Sequence, residues 1–186
     1  MAALFVDPTD FTNKPYKIPN QEESKDFDQW LEDKEDEILK DLLGWQFWDA
    51  FSNAIEGGTT TTKWVNLRDG TTYEYGGYTF KWDGMEKMLI PYIYSMFIRE
   101  SFDKLTASGV VLNGTTNAVP GANFTIINPS VRITRAQNEF SRIAGGCYRA
   151  DNSLYGFLLA NYQTDYTEWS PTSTWKDPGK ENQFDL

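Results

Sequence analysis

The chain has 186 residues, 16% aromatic and 40% hydrophobic, enough for one domain with a sizeable core. Its net charge of −10 argues against a primary grip on nucleic acid, which needs a basic surface, though not against DNA passing close by. It has no histidine and one cysteine, Cys147, which removes intrachain disulfides, Cys–His and Ser–His–Asp catalysis and histidine-based zinc sites, and fits a reducing cytoplasm.

The opening "MAALFVDPTD" lacks the basic flank and apolar run of a secretory leader. The longest uncharged apolar run, "MLIPYIYSMFI", is too short to cross a bilayer, which takes about 20 residues. No membrane partner is expected, and the sequons at Asn113 and Asn123 carry no weight.

Residues 1–20 read as an extended N-terminal arm, because Pro8, Pro15 and Pro19 prevent long helices. Asn20 can cap a helix, with Glu23 three residues on. The following segment places Phe27, Leu31, Ile38 and Leu42 at helical spacing, with Trp30 beside them. The rest of that helix is acidic: residues 21–43 hold ten Asp or Glu and three Lys. Gly44 breaks or kinks it, and "WQFWDAFSNAIEGG" predicts a second helix ended by Gly57 and Gly58.

Over about 60–82, threonines, aromatics and Val65 favour strands, with turns at Asp69-Gly70 and Gly76-Gly77, so a hairpin or three-stranded meander is expected. A helix is expected from about Gly84 to Leu105 with Leu89, Tyr92, Ile93, Met96 and Phe97 inward, and Pro91 predicts a kink or a later start. Residues from about 106 to 128 read as a long loop. Pro129 then opens a helix running to about Tyr162, with Ala136, Phe140, Ile143, Cys147, Ala150, Leu154 and Phe157 as its seam. Gly145 and Gly146 interrupt the seam, which a close helix crossing would explain. Residues 165–186 read as an extended tail that keeps Trp169, Trp175 and Phe184. The fold class expected is mainly α: a helical bundle over 21–164 with a small β-hairpin or meander insertion and extended N- and C-terminal arms.

Few residues carry chemistry. Glu32 and Asp36 could pair as carboxylates, but a charge run of this kind reads as a solvated face. No EF-hand spacing is present, and "GTTYEYGG" lacks the lysine and strand–loop–helix setting of a phosphate loop. No catalytic residue, metal ligand or cofactor is assigned. Two features point to interaction instead. Arg132, Arg135, Arg142 and Arg149 fall within about a 100° sector of one helix. They pair with acids of the same bundle, or meet acids such as Asp33, Asp36 and Glu37 on the first helix of another copy, a heterologous contact. The tail rings Trp169, Trp175 and Phe184 either fold back on the domain or anchor the tail to a partner.

The order of these segments resembles a family of structural proteins of tailed phages infecting Bacteroidetes, crAss-like phages included. The match spans about 25–170: "LLGWQFWDAF", then "KWVNLRDGTTY" with the "WDG" turn and the aromatic helix after it, then "LYGFLLANYQTDY" and the aromatic tail. The glycine pair Gly145-Gly146 and the long loop depart from the family pattern. The resemblance implies a head–tail connector or adaptor ring, typically of twelve copies. It implies docking beneath the portal protein, contact with further neck or tail proteins, and DNA only as passing cargo in the lumen. Trp169, Trp175 and Phe184 would then be the tail anchors. The rivals are a monomeric acidic protein-binding module and an Asp/Glu enzyme acting on glycans.

Overall fold

The computed structural model describes residues 4–12, 15–18, 25–58, 61–102, 105–106, 109–110, 129–146 and 151–162. The protein is mostly helical, with a small antiparallel hairpin. A 3-10 turn at Pro8–Phe11 precedes α1 (Lys25–Leu43), α2 (Trp45–Glu56) and α3 (Thr62–Asp69). The hairpin strands β1 (Thr71–Tyr75) and β2 (Tyr78–Trp82) follow, then α4 (Met85–Phe102). Two short strands, β3 (Leu105–Thr106) and β4 (Gly109–Val110), pair with each other, and α5 (Pro129–Ala144) and α6 (Leu154–Asn161) complete the order.

The amphipathic pattern of α1 works as its spacing requires: Phe27, Leu31, Ile38 and Leu42 are all buried. Gly44 ends it and Gly57 caps α2, as expected. α4 lies along α5, burying Leu89, Tyr92 and Ile93 on one side and Ala136, Phe140 and Ile143 on the other. α4 begins at Met85 and runs through Pro91, so the later start does not occur.

Four expectations need correction. First, residues 62–69 form helix α3 rather than a strand, so the insertion is a hairpin and not a meander. Trp64 stacks on Phe51 with centroids 5.3 Å apart, and Leu67 one turn on is fully buried. Packing on one helical face outweighs the β preference of the threonines.

Second, Asp69-Gly70 is a helix-to-strand junction and not a hairpin turn. A Cβ on Gly70 would lie 2.6 Å from the Trp82 carbonyl oxygen, and one on Gly84 would lie 2.8 Å from that of Arg68. The two ends of the hairpin therefore cross backbone against backbone, which only glycine permits.

Third, the single helix expected over 129–162 is two. Gly145 takes φ 96°, a left-handed conformation that ends α5. Ser153 restarts the helix, its hydroxyl accepting from the Gly156 N–H at 3.1 Å. Cys147 and Ala150 of the expected seam lie outside the described residues.

Fourth, the N-terminal arm, where it is described, is not extended away from the domain. Asp7 and Asp10 form a capping box around the 3-10 turn, Phe11 is fully buried, and Phe5 stacks on Phe51 at 5.4 Å. Of the expected loop, only 106, 109 and 110 fall in β3 and β4. The rest lies outside the described residues, as does the tail from 163 to 186.

Candidate interaction surface

The arginines expected on one helix divide at the end of α5. Arg132, Arg135 and Arg142 lie on it and are exposed, while Arg149 lies outside the described residues. At 100° per residue the three fall within about 80° of arc. Val131, Arg135, Asn138 and Arg142 follow the i, i+4, i+7, i+11 spacing of a straight ridge, and all four are exposed. Val131 keeps 54% of its surface, an unusual exposure for a branched apolar side chain. Opposite the ridge, Ala136, Phe140 and Ile143 fill the contact with α4. Among the described residues, none of the three arginines has an ion-pair partner within 4 Å.

The acids expected to answer them are engaged in their own chain. Asp36 is ion-paired with Lys40 and accepts from the Trp48 indole N–H at 2.9 Å. Glu37 pairs with Lys34 at 3.1 Å, and Lys34 also reaches Glu100 at 3.3 Å. Asp33 accepts a hydrogen bond from the Gln29 amide at 2.9 Å. The neighbouring Glu35 is only 2% exposed. Its carboxylate accepts the backbone N–H groups of Leu4 at 2.7 Å, Phe5 at 3.2 Å and Val6 at 3.2 Å. Burial pushes its pKa up to about 7, against the lowering effect of those three hydrogen bonds. Glu35 thus fastens the N-terminal segment to α1. Its signal was present in the sequence: position 35 continues the Phe27–Leu31 spacing, so an acid stands in the apolar stripe.

Clefts open on the surface of the described residues. One, of about 460 Å³, lies at the base of the hairpin between Phe5, Arg68, Asp69, Asp83, Lys87 and Ile90. Its charges are paired, Arg68 with Asp69 at 2.6 Å and Asp83 with Lys81 at 2.6 Å and Lys87 at 2.9 Å. The Lys81 and Lys87 ammonium groups hold the Asp83 carboxyl below the ordinary range, and the Arg68 guanidinium does the same for Asp69. Another, of about 200 Å³, lies between α1 and α2 beside Glu32, Asp36, Trp45 and Trp48. Among the described residues, no cluster of His, Cys, Asp or Glu is placed to hold a metal ion, and no helix is long and apolar enough to cross a membrane.

The hairpin carries a second exposed feature. Its register pairs Tyr73 with Phe80 and Tyr75 with Tyr78, so five aromatic residues, Trp82 included, share one face. The inner end is built into the core: Trp82 is fully buried with its indole N–H donating to the Leu67 carbonyl at 2.8 Å, and Tyr73 meets Phe157 at 5.6 Å. Asn152 accepts the Lys81 N–H at 2.8 Å, fastening β2 to the turn before α6. The outer end is uncovered, with Tyr75 39% and Tyr78 71% exposed. The two-residue alternation in "TYEYGGYTFKW" marks this face, though not how far the core covers it. Trp169, Trp175 and Phe184 lie outside the described residues. Comparison of the chain with protein-family models, curated proteins and solved structures finds no match.

Proposed function

We propose that this chain is a non-enzymatic virion structural protein, a head–tail connector or adaptor ring docking beneath the portal and joining it to the tail, with DNA passing through the lumen. The observation that carries the reading is the α5 ridge. In a chain of net charge −10, three arginines face outward and lack an ion-pair partner among the described residues. Arginine is favoured at protein interfaces, because its planar guanidinium binds carboxylates in pairs and stacks on rings. Repeated copies of an acidic protein can answer a basic strip only from a different part of their surface. Such a contact is heterologous, and it closes into a ring when the rotation between copies permits.

The resemblance over about 25–170 adds the setting: a neck, a portal above, and Trp169, Trp175 and Phe184 as tail anchors. Overall acidity suits a lumen that repels DNA rather than holding it. The test is native mass by analytical ultracentrifugation from micromolar to near-millimolar concentration, at low and high salt. The expected result is a discrete closed oligomer that weakens as salt rises. A monomer under every condition overturns self-assembly through this surface and leaves two readings, a ring built only on its portal or a monomeric acidic binding module.

A further inference from the structure

We infer that the uncovered tip of the β1–β2 hairpin is the surface that meets the α5 ridge of a second copy of this chain. The inference rests on the ring reading and names the complement that the ridge lacks. Asp36 and Glu37, the acids first expected there, already hold Lys40, Trp48 and Lys34 of their own chain. Drawing off Asp36 would break its hydrogen bond to Trp48 across the α1–α2 junction, and drawing off Glu37 would break its pair with Lys34 within α1.

The tip has what the ridge needs. Tyr75 and Tyr78 stand directly across from each other, both exposed, on a face whose inner half is core. A ring face attracts a guanidinium placed within about 6 Å of its centre, and a phenol oxygen can also accept an N–H. Glu74 adjoins Tyr75 in sequence, but the register turns it to the opposite face with Lys81, so the tip meets the ridge through its rings and not through charge. The ridge carries Arg135 and Arg142 with Arg132 beside them, and the exposed Val131 gives an apolar contact for a ring edge. Glu139, the acid nearest this strip on α5, is hydrogen-bonded to the Tyr16 hydroxyl of its own chain.

The hairpin can also bear the load. Its base is locked by Trp82, by the Gly70–Gly84 crossing and by the Asn152 bond. A rigid projection loses little freedom when its end is covered. Tip and ridge are different patches, so the contact repeats head to tail, as a ring requires.

Two full-length variants test this, both carrying Cys147→Ser, one with Tyr78→Cys and the other with Arg135→Cys. They are given different mass tags, mixed at near-millimolar concentration and oxidised. The 78–135 heterodimer should exceed the 78–78 and 135–135 homodimers by at least about fivefold, because the contact is heterologous. Homodimers in equal or greater amount overturn the inference, and so does the absence of any 78–135 product. A discrete oligomer without that product overturns this contact while leaving the ring standing. A monomer in the ultracentrifuge overturns self-assembly, and this contact with it. As an independent readout, Tyr75→Ser with Tyr78→Ser should keep the helical circular dichroism and weaken self-association by about tenfold or more. An unchanged mass distribution overturns the inference.

Discussion

On α1, the side chains at positions 35, 36 and 37 are all bound within their own chain; on α5, those at 132, 135 and 142 find no ion-pair partner among the described residues. Both helices read as amphipathic, with one apolar stripe and a charged remainder. The difference lies in what packs beside them. The N-terminal segment crosses α1 and offers three backbone donors that need an acceptor once buried, and Glu35 supplies it. α2 turns back and brings Trp48 to Asp36. α5 is covered on one side by α4, and its other side faces outward. Charge at positions 35–37 of α1 therefore belongs to the fold, while on α5 Glu139 is held by Tyr16, with Arg135 near that pair, and the arginines make no ion pair within 4 Å among the described residues.

The strongest way to break this contrast is to remove Glu35. Glu35→Ala leaves the Leu4, Phe5 and Val6 N–H groups without their acceptor and opens space beside Phe5. The expected loss is about 4 kcal/mol in urea unfolding, with faster amide exchange at residues 4–6. A loss under about 1 kcal/mol would mean that the segment is held by Phe5 and Phe11 packing alone.

The next effect is in pH. The Glu35 carboxyl titrates near 7 when folded, against an ordinary value of 4.5. Between those values the folded state holds a proton that the unfolded state has released. Stability is therefore fully present below about 4.5 and falls as pH rises toward 7, by as much as about 3 kcal/mol. Glu86, also raised by burial, adds a smaller fall of the same sign. Urea titrations from pH 4.5 to 7.5 should show the decline, and Glu35→Gln should remove most of it whatever its effect on absolute stability. Equal slopes in the two proteins would show that the carboxylate is solvated. Smaller again, Trp48→Phe removes the hydrogen bond to Asp36 and should cost about 1.5 kcal/mol, read by thermal or urea unfolding.

Much of this was legible in the sequence, and the failures have physical causes. α1, α2, the Gly76-Gly77 turn and the inward face of α4 follow from period and punctuation. The strand expected over 62–69 failed because intrinsic preference is weak beside Trp64 packing on Phe51. The helix expected over 129–162 failed because a seam can keep its spacing across a break, here the left-handed Gly145. The arm failed because prolines forbid helix but say nothing about docking, which depended on Glu35, thirty residues away. The arginine row was legible as far as α5 extends. Its complement was not, because only packing reveals that Asp36 and Glu37 are engaged and that Tyr75 and Tyr78 are left uncovered.

The smallest expected effect on the fold sharpens the comparison most. Arg135→Glu with Arg142→Glu reverses two exposed charges that make no ion pair within 4 Å among the described residues, Arg135 acting only at longer range on the Tyr16–Glu139 pair, so unfolding stability should move by about 0.5 kcal/mol or less. If α5 charge serves an interface, the same variant should lose the salt-sensitive oligomer while keeping its urea midpoint. If instead the variant is destabilised as strongly as Trp48→Phe, the arginines belong to the fold after all, and α1 and α5 do not differ in kind. Running both readouts on one sample separates these cases, because lost assembly with an intact monomer has no explanation in the packing of the bundle.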